Sequence, residues 1–181
     1  MTRKFLLFFL ALVPPVCGMS QPAYGDFRIV NTEIIYQKVF DQPSVTLEKV
    51  DSLLKASPGI TEVSMSGESL TATLTDMVVD YKKFKFPQVT TPPIIQTGRF
   101  SGKLTAEAKD GRYRITLEQI TMKGDIGYKN IPEPEPMTNY ACMKGATILS
   151  KDWCRPNMLG VLNQALNDLF AYKVETKSSD W

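Results

Sequence analysis

The residues best suited to chemistry in this 181-residue chain are Tyr81-Lys82-Lys83-Phe84-Lys85-Phe86, where cations alternate with aromatic rings. Rings flanked by ammonium groups can stack on sugars or hold polyanions, and Arg99 with Lys103 would extend such a ligand patch. The same pattern also describes a strand end whose rings enter the core while its lysines protect an exposed edge. Asp76 and Asp80 fall on one face of a regular strand, a spacing that suits a carboxylate pair or calcium ligands. No Asx-Gly loop or bidentate Glu completes an ion site there, so solvated strand-end charges are the simpler reading.

The chain has no histidine, which excludes Ser-His-Asp and Cys-His triads, a histidine general base and His-based zinc sites. Carboxylate, lysine or tyrosine chemistry stays open. Ser101, Ser150 and Lys151 have no visible base or nucleophile elbow beside them. The sequence therefore assigns no catalytic residue, no metal ligands and no cofactor.

Of the three cysteines, Cys17 belongs to an N-terminal segment of its own. Thr2-Arg3-Lys4, the apolar run Phe5 to Val13 and the small residues up to Gly18 read as a secretory signal peptide, cut after residue 18 or after residue 20. The expected address is periplasmic or secreted. A lipoprotein acylated at Cys17 is the competing reading, against which Pro14-Pro15-Val16 makes a poor lipobox. Cleavage also changes the charge: the whole chain has 21 basic and 19 acidic residues, and removing Arg3 and Lys4 leaves 19 of each. A neutral mature protein gives no global support for nucleic acid as a partner. Outside the cytoplasm Cys142 and Cys154 are expected to form a disulfide, closing a short loop and contributing about 3 kcal/mol on chain entropy.

The elements that must position these residues follow from periodicity. Residues 19–181 are expected to form one domain. Phe27 to Phe40 is rich in β-branched and aromatic residues and reads as one strand bent near Asn31. Ser44 then caps a helix with Leu47, Val50 and Leu54 on one face. A Gly67-Glu68 turn sets Met65 opposite Leu70, Val63 opposite Ala72 and Thr61 opposite Leu74. A type I′ turn at Asp110-Gly111 sets Ala108, Ala106 and Leu104 opposite Tyr113, Ile115 and Leu117, with Glu107, Thr105 and Lys103 opposite Arg114, Thr116 and Glu118, and predicts a bulge near Gln119. Residues 124–155, including Pro132-Glu133-Pro134-Glu135-Pro136, read as irregular. Pro156 opens a last helix with a Leu159, Leu162, Leu166, Leu169 stripe, and a loose tail follows over 173–181. The fold class is α+β: an antiparallel sheet of about five strands covered on one face by two helices, in the order β-α-β-β-β-β-α.

Ile35-Tyr36-Gln37-Lys38-Val39-Phe40, and above all Gly98-Arg99-Phe100-Ser101-Gly102-Lys103-Leu104 running into Lys109-Asp110-Gly111-Arg112-Tyr113-Arg114-Ile115, carry a similarity to known proteins. In them the chain resembles secreted Bacteroidetes proteins grouped as a domain of unknown function with a TATA-box-binding-protein-like (TBP-like) fold. The resemblance implies that fold and an envelope address, and transfers no catalytic residues. DNA binding does not come with the fold, since folds host many functions.

The expectation is an exported, non-enzymatic binding or assembly module of the bacterial periplasm or cell envelope. Its partner would be an envelope protein or glycan, or a second copy joined through a sheet edge. Two alternatives stay open, a secreted carboxylate-type hydrolase of glycan or cell wall and a lipid-anchored accessory subunit.

Overall fold

The computed structural model describes residues 23–172, so the expected signal segment with Cys17 and the expected loose tail over 173–181 lie outside the described residues. In chain order the elements are β1 (Ala23–Tyr24), β2 (Phe27–Val30), β3 (Glu33–Asp41), α1 (Leu47–Ala56), β4 (Ile60–Ser66), β5 (Ser69–Met77), α2 (Pro93–Thr97), β6 (Arg99–Lys109), β7 (Arg112–Asp125), β8 (Asn130–Pro136), α3 (Thr138–Ala141), β9 (Cys142–Met143), β10 (Ile148–Leu149) and α4 (Val161–Phe170). Eight strands form one antiparallel sheet in the order β1-β2-β3-β7-β6-β5-β4, with β8 also on β7. The class is the expected α+β, with more strands than the five foreseen.

The β6–β7 hairpin follows local chemistry. Asp110 and Gly111 both take positive φ, 52° and 71°, as a type I′ turn requires. Every one of the six expected cross-strand pairs is formed, from Ala108 with Tyr113 to Lys103 with Glu118. The bulge falls at Gln119, φ 50°, where the register shifts opposite Gly102. A Cβ on Gly102 would stand 2.9 Å from the Glu118 carbonyl oxygen, so the bulged strand crosses where no side chain intervenes.

Three expectations need correction. Phe27–Phe40 is a hairpin of β2 and β3 rather than one bent strand, because Asn31 and Thr32 both adopt positive φ, 49° and 62°. The β4–β5 hairpin keeps Met65 opposite Leu70, but a bulge at Glu62, φ 54°, shifts the far end so that Thr61 faces Thr73 and Ile60 faces Leu74. Thr46, not Ser44, caps α1 by accepting from the Lys49 N–H, while Ser44 itself turns at φ 63°.

The interval 124–155 is likewise more ordered than the irregular stretch expected from its prolines. β7 pairs with β6 along one flank; along the other it pairs first with β3, then, beyond the bulge, with β8. Proline fits β8 because this strand is an edge. Thr138 fills the fork where β3 leaves β7, its hydroxyl accepting from the Ile34 N–H at 3.1 Å.

One face of the sheet carries Phe27, Ile34, Tyr36, Leu70, Leu74, Phe100, Leu104, Tyr113, Ile115 and Leu117, all buried. Val50 and Leu54 of α1, Ile94 and Ile95 of α2, and Leu162, Leu166 and Phe170 of α4 are buried in the same core. α4 follows a wide turn from Pro156 to Gly160, closed by the Gly160 N–H on the Arg155 carbonyl. Two phenols fasten this helix: Tyr36 donates to Asn167 Oδ1 at 2.6 Å, and Tyr113 donates to the Phe170 carbonyl at 2.7 Å. Burial pushes both phenols above their ordinary range, so both remain donors.

Candidate functional site

The segment Tyr81–Phe86 is a tight turn beside α4. Tyr81 is buried, and Phe84 and Phe86 pack against the core. Lys83 Nζ meets Asp168 Oδ2 at 2.7 Å and stands 5.9 Å from the Phe84 ring centre, while Lys82 lies 5.9 Å over Tyr81. Lys85 turns at φ 62°. Arg99 pairs with Lys123, and Lys103 sits between Thr73 and Glu118. Both alternate with Phe100 and Leu104 along β6, so they occupy the face opposite the helices. The structure thus gathers Tyr81 to Lys85 on the helical side and leaves Arg99 and Lys103 on the other.

Asp76 and Asp80 are not on one regular strand, since β5 ends at Met77. Asp76 takes φ 49° and forms an ion pair with Lys123 at 3.0 Å, and the Asp80 carboxylate accepts from the Lys83 N–H at 3.2 Å. Among the described residues no group of three His, Cys, Asp or Glu is placed to hold a metal, and no helix is long and apolar enough to cross a membrane.

Cys142 opens β9 opposite Leu149; Ser150 donates to the Ala141 carbonyl, and Cys154 returns one turn later with its N–H on the Ser150 carbonyl. Both sulfurs are thiols in the structure, half-buried against the core with Trp153 buried between Asp152 and Cys154. Burial, then the neighbouring Cys154, pushes the Cys142 thiol up to about 11 from 9.0, and burial also raises Cys154. A raised thiol favours the protonated folded state. Its contribution is present below pH 9.0 and lost as pH rises through about 11. The reduced chain is therefore expected to lose stability over that window, with Cys142 alkylated at pH 8 on the order of 100-fold more slowly than in the unfolded chain. Equal alkylation rates, measured by mass spectrometry of the two states, would contradict this burial.

A polar cluster that the sequence reading did not single out ties β8 to α3. Lys129 Nζ donates to Glu135 Oε1 at 3.0 Å and to the Tyr140 hydroxyl at 2.8 Å, and Tyr140 donates to Glu135 Oε2. The Tyr140 and Lys129 hydrogen bonds hold the Glu135 carboxyl below its ordinary range; those of Tyr140 and Glu135 hold Lys129 above its own. Both charges are thereby fixed at neutral pH, as suits a surface clamp rather than an acid or base.

The face of the sheet opposite the helices is the largest feature missed. Gln37, Thr116, Thr105, Thr71 and Ser64 stand directly opposite one another across β3, β7, β6, β5 and β4. A parallel row runs Val39, Arg114, Glu107, Ser69, Ser66, with Arg114 in an ion pair to Glu107. Arg28 donates to Gln37, and Gln37 donates to Thr116 Oγ1 at 2.8 Å, linking three strands. Thr105 opposite Thr116 was legible in the hairpin; the rest of the row required the order of strands distant in sequence.

A depression of about 1030 Å³ forms a wide groove at the hairpin ends bordered by Leu47, Glu48, Met65, Glu107, Lys109 and Arg112. A carboxyl that donates a proton near neutrality needs a raised pKa. Glu48 moves the other way, held low by its hydrogen bond with Thr46. A second depression, about 460 Å³, lies between Asp76, Asp80 and Lys83 and the Ala165, Asp168 and Leu169 positions of α4.

Family models and curated protein sequences return no match to the chain. Solved structures similar to it include the following two. One is a DUF4468 family protein from Bacteroides ovatus, 16% identical, with a TM-score of 0.44 over 81% of this chain and 84% of that one. The other is a TBP-like protein from Parabacteroides distasonis, 12% identical, with a TM-score of 0.46 over 78% of this chain and 93% of that one.

Proposed function

We propose that this chain is an exported, non-enzymatic binding or assembly module of the bacterial periplasm or cell envelope. The observation that carries the reading is the helix-free sheet face, whose row from Gln37 to Ser64 sets hydroxyl and amide groups across five strands, buried at Thr116, half-buried at Gln37 and Thr105 and exposed at Thr71 and Ser64. Such a face offers many shallow hydrogen-bonding positions and no enclosed space in which to shield a reaction from water, which suits recognition of an extended surface. The address rests on the N-terminal Arg3-Lys4 and Phe5 to Val13 pattern. In an oxidising compartment the thiols of Cys142 and Cys154 join by exchange with an oxidised dithiol carrier: the carrier disulfide is reduced to two thiols as the bridge forms. The lysines of the Tyr81–Lys85 turn serve here as a solvated rim, one of them neutralised by Asp168.

The test is fractionation of the cells that make the protein. The chain is expected in the envelope fraction with its N terminus at residue 19 or 21. Thr71→Glu with Lys103→Gln, two exposed positions on the helix-free face, is expected to keep the thermal midpoint and release the protein from its envelope partner. Recovery of the full-length chain in the cytoplasm, or unchanged retention of the double variant, would overturn the reading.

A further inference from the structure

Among the described residues the sheet has three free margins, at β1, β8 and β4, and they are treated differently. Within the described residues β1 comprises Ala23–Tyr24. β8 carries Pro132, Pro134 and Pro136. The Met137 N–H bonds the Ile120 carbonyl on β7, so the preceding residue Pro136, opposite Thr121, turns its nitrogen outward, and the other two prolines remove further donors from the same strand. The β8 margin is thereby closed to another strand.

β4 is left open. Its sequence, Ile60-Thr61-Glu62-Val63-Ser64-Met65-Ser66, has no proline, lysine or arginine, the residues that commonly protect an edge. Its one charge, Glu62, is drawn back onto the neighbouring strand, where its carboxylate accepts from Thr73 Oγ1 at 2.8 Å. The two-residue turn at Gly67-Glu68 makes Ser66 and Ser69 a hydrogen-bonded pair, so by alternation Val63 and Met65 point their backbone N–H and C=O away from β5. The Met65 side chain, on the helical side opposite Leu70, is 48% exposed.

We infer that β4 is a homodimerisation edge, pairing antiparallel with β4 of a second copy about a two-fold axis at Ser64. Deepening the assembly reading above and resting on it, this names the partner. The pairing is self-complementary. Val63 of one copy bonds Met65 of the other on both sides of the axis, which satisfies the outward backbone groups and sets an apolar pair on the helical side. Glu62 falls opposite Ser66 of the second copy, so no like charges oppose one another. The balance of 19 basic and 19 acidic residues beyond residue 20 removes net repulsion between copies. The outcome is one continuous sheet through both subunits.

Sedimentation velocity of the residue 21–181 protein at about 50 µM tests this, a concentration that detects association of modest affinity. A dimer is expected, and Met65→Lys, a change at an exposed side chain, is expected to give a monomer with the thermal midpoint of the wild type diluted until it dissociates. Ser64→Cys, with Cys142 and Cys154 replaced by Ser, is expected to cross-link two copies under oxidised glutathione, since the axis brings the two Cα atoms to about 4.5 Å. A monomeric wild type, a dimeric Met65→Lys, or a monomer that takes up an extended peptide along β4 would each overturn the assignment to a second copy. Met65 projects to the helical side, away from the face that carries Thr71 and Lys103, so loss of the dimer in Met65→Lys with envelope retention intact fails only this inference, and loss of retention in a dimeric protein fails only the binding reading.

Discussion

Gly98→Ala is expected to cost on the order of 3 kcal/mol or more, a fall of about 6 °C or more in thermal midpoint for a chain of this size. Gly98 follows the last residue of α2 at φ −66°, a conformation any residue adopts, so the cost is steric alone. An added Cβ would lie 2.1 Å from the Ile94 carbonyl oxygen and 2.6 Å from Ile94 Cδ1. Neither neighbour can give way: the Ile94 side chain is fully buried, and its carbonyl accepts the Gly98 N–H at 3.0 Å. Gly124 closes the other side, since a Cβ there would meet the Gly98 Cα at 2.9 Å. α2 therefore crosses β7 glycine on glycine. A denaturation midpoint within about 1 kcal/mol of wild type would show that the crossing can open.

Phe170→Ala is expected to cost about 3–5 kcal/mol, the range for truncating a buried aromatic. Phe170 is fully buried with its ring 6.1 Å from that of Tyr36, which in turn meets Phe27 edge-on at 5.7 Å. Its carbonyl also accepts from Tyr113, so the cavity opens under the hydrogen bond that ends α4. A second readout separates this from general loosening. Burial is the first cause of the raised Tyr36 phenol, so water entering the cavity should return its titration toward 10.0, visible as phenolate absorbance at alkaline pH. Loss of stability with Tyr36 still protonated would mean that the core collapses around the missing ring.

What the sequence disclosed depended on how local the determinant was. Asp110-Gly111 announces its turn, and charge and apolarity on the two faces agree on one register, so the longest hairpin was legible to the residue. Asn31-Thr32 makes the same kind of turn, yet threonine is a poor guide to positive φ, and the two strands around it read as one. The prolines of β8 argue against a strand until an edge is known to exist. The Glu62 bulge had no glycine to mark it. Of the candidate site, the Tyr81–Phe86 motif was visible but divides into buried rings and outward cations, while the polar row appears only when β3 is laid beside β7.

That last pairing sets the order in which the molecule can assemble. Gln37 and Thr116, bonded across β3 and β7, are 79 positions apart in the chain. A polypeptide leaving the ribosome holds the β2–β3 hairpin, with Phe27 and Tyr36 uncovered, through the synthesis of about half of the remaining chain before β7 exists to receive it. Closure over such a separation carries a larger loop entropy than any local hairpin and belongs to the slower topologies. The nascent chain thus stays threadable, and open to chaperones, until its second half is made.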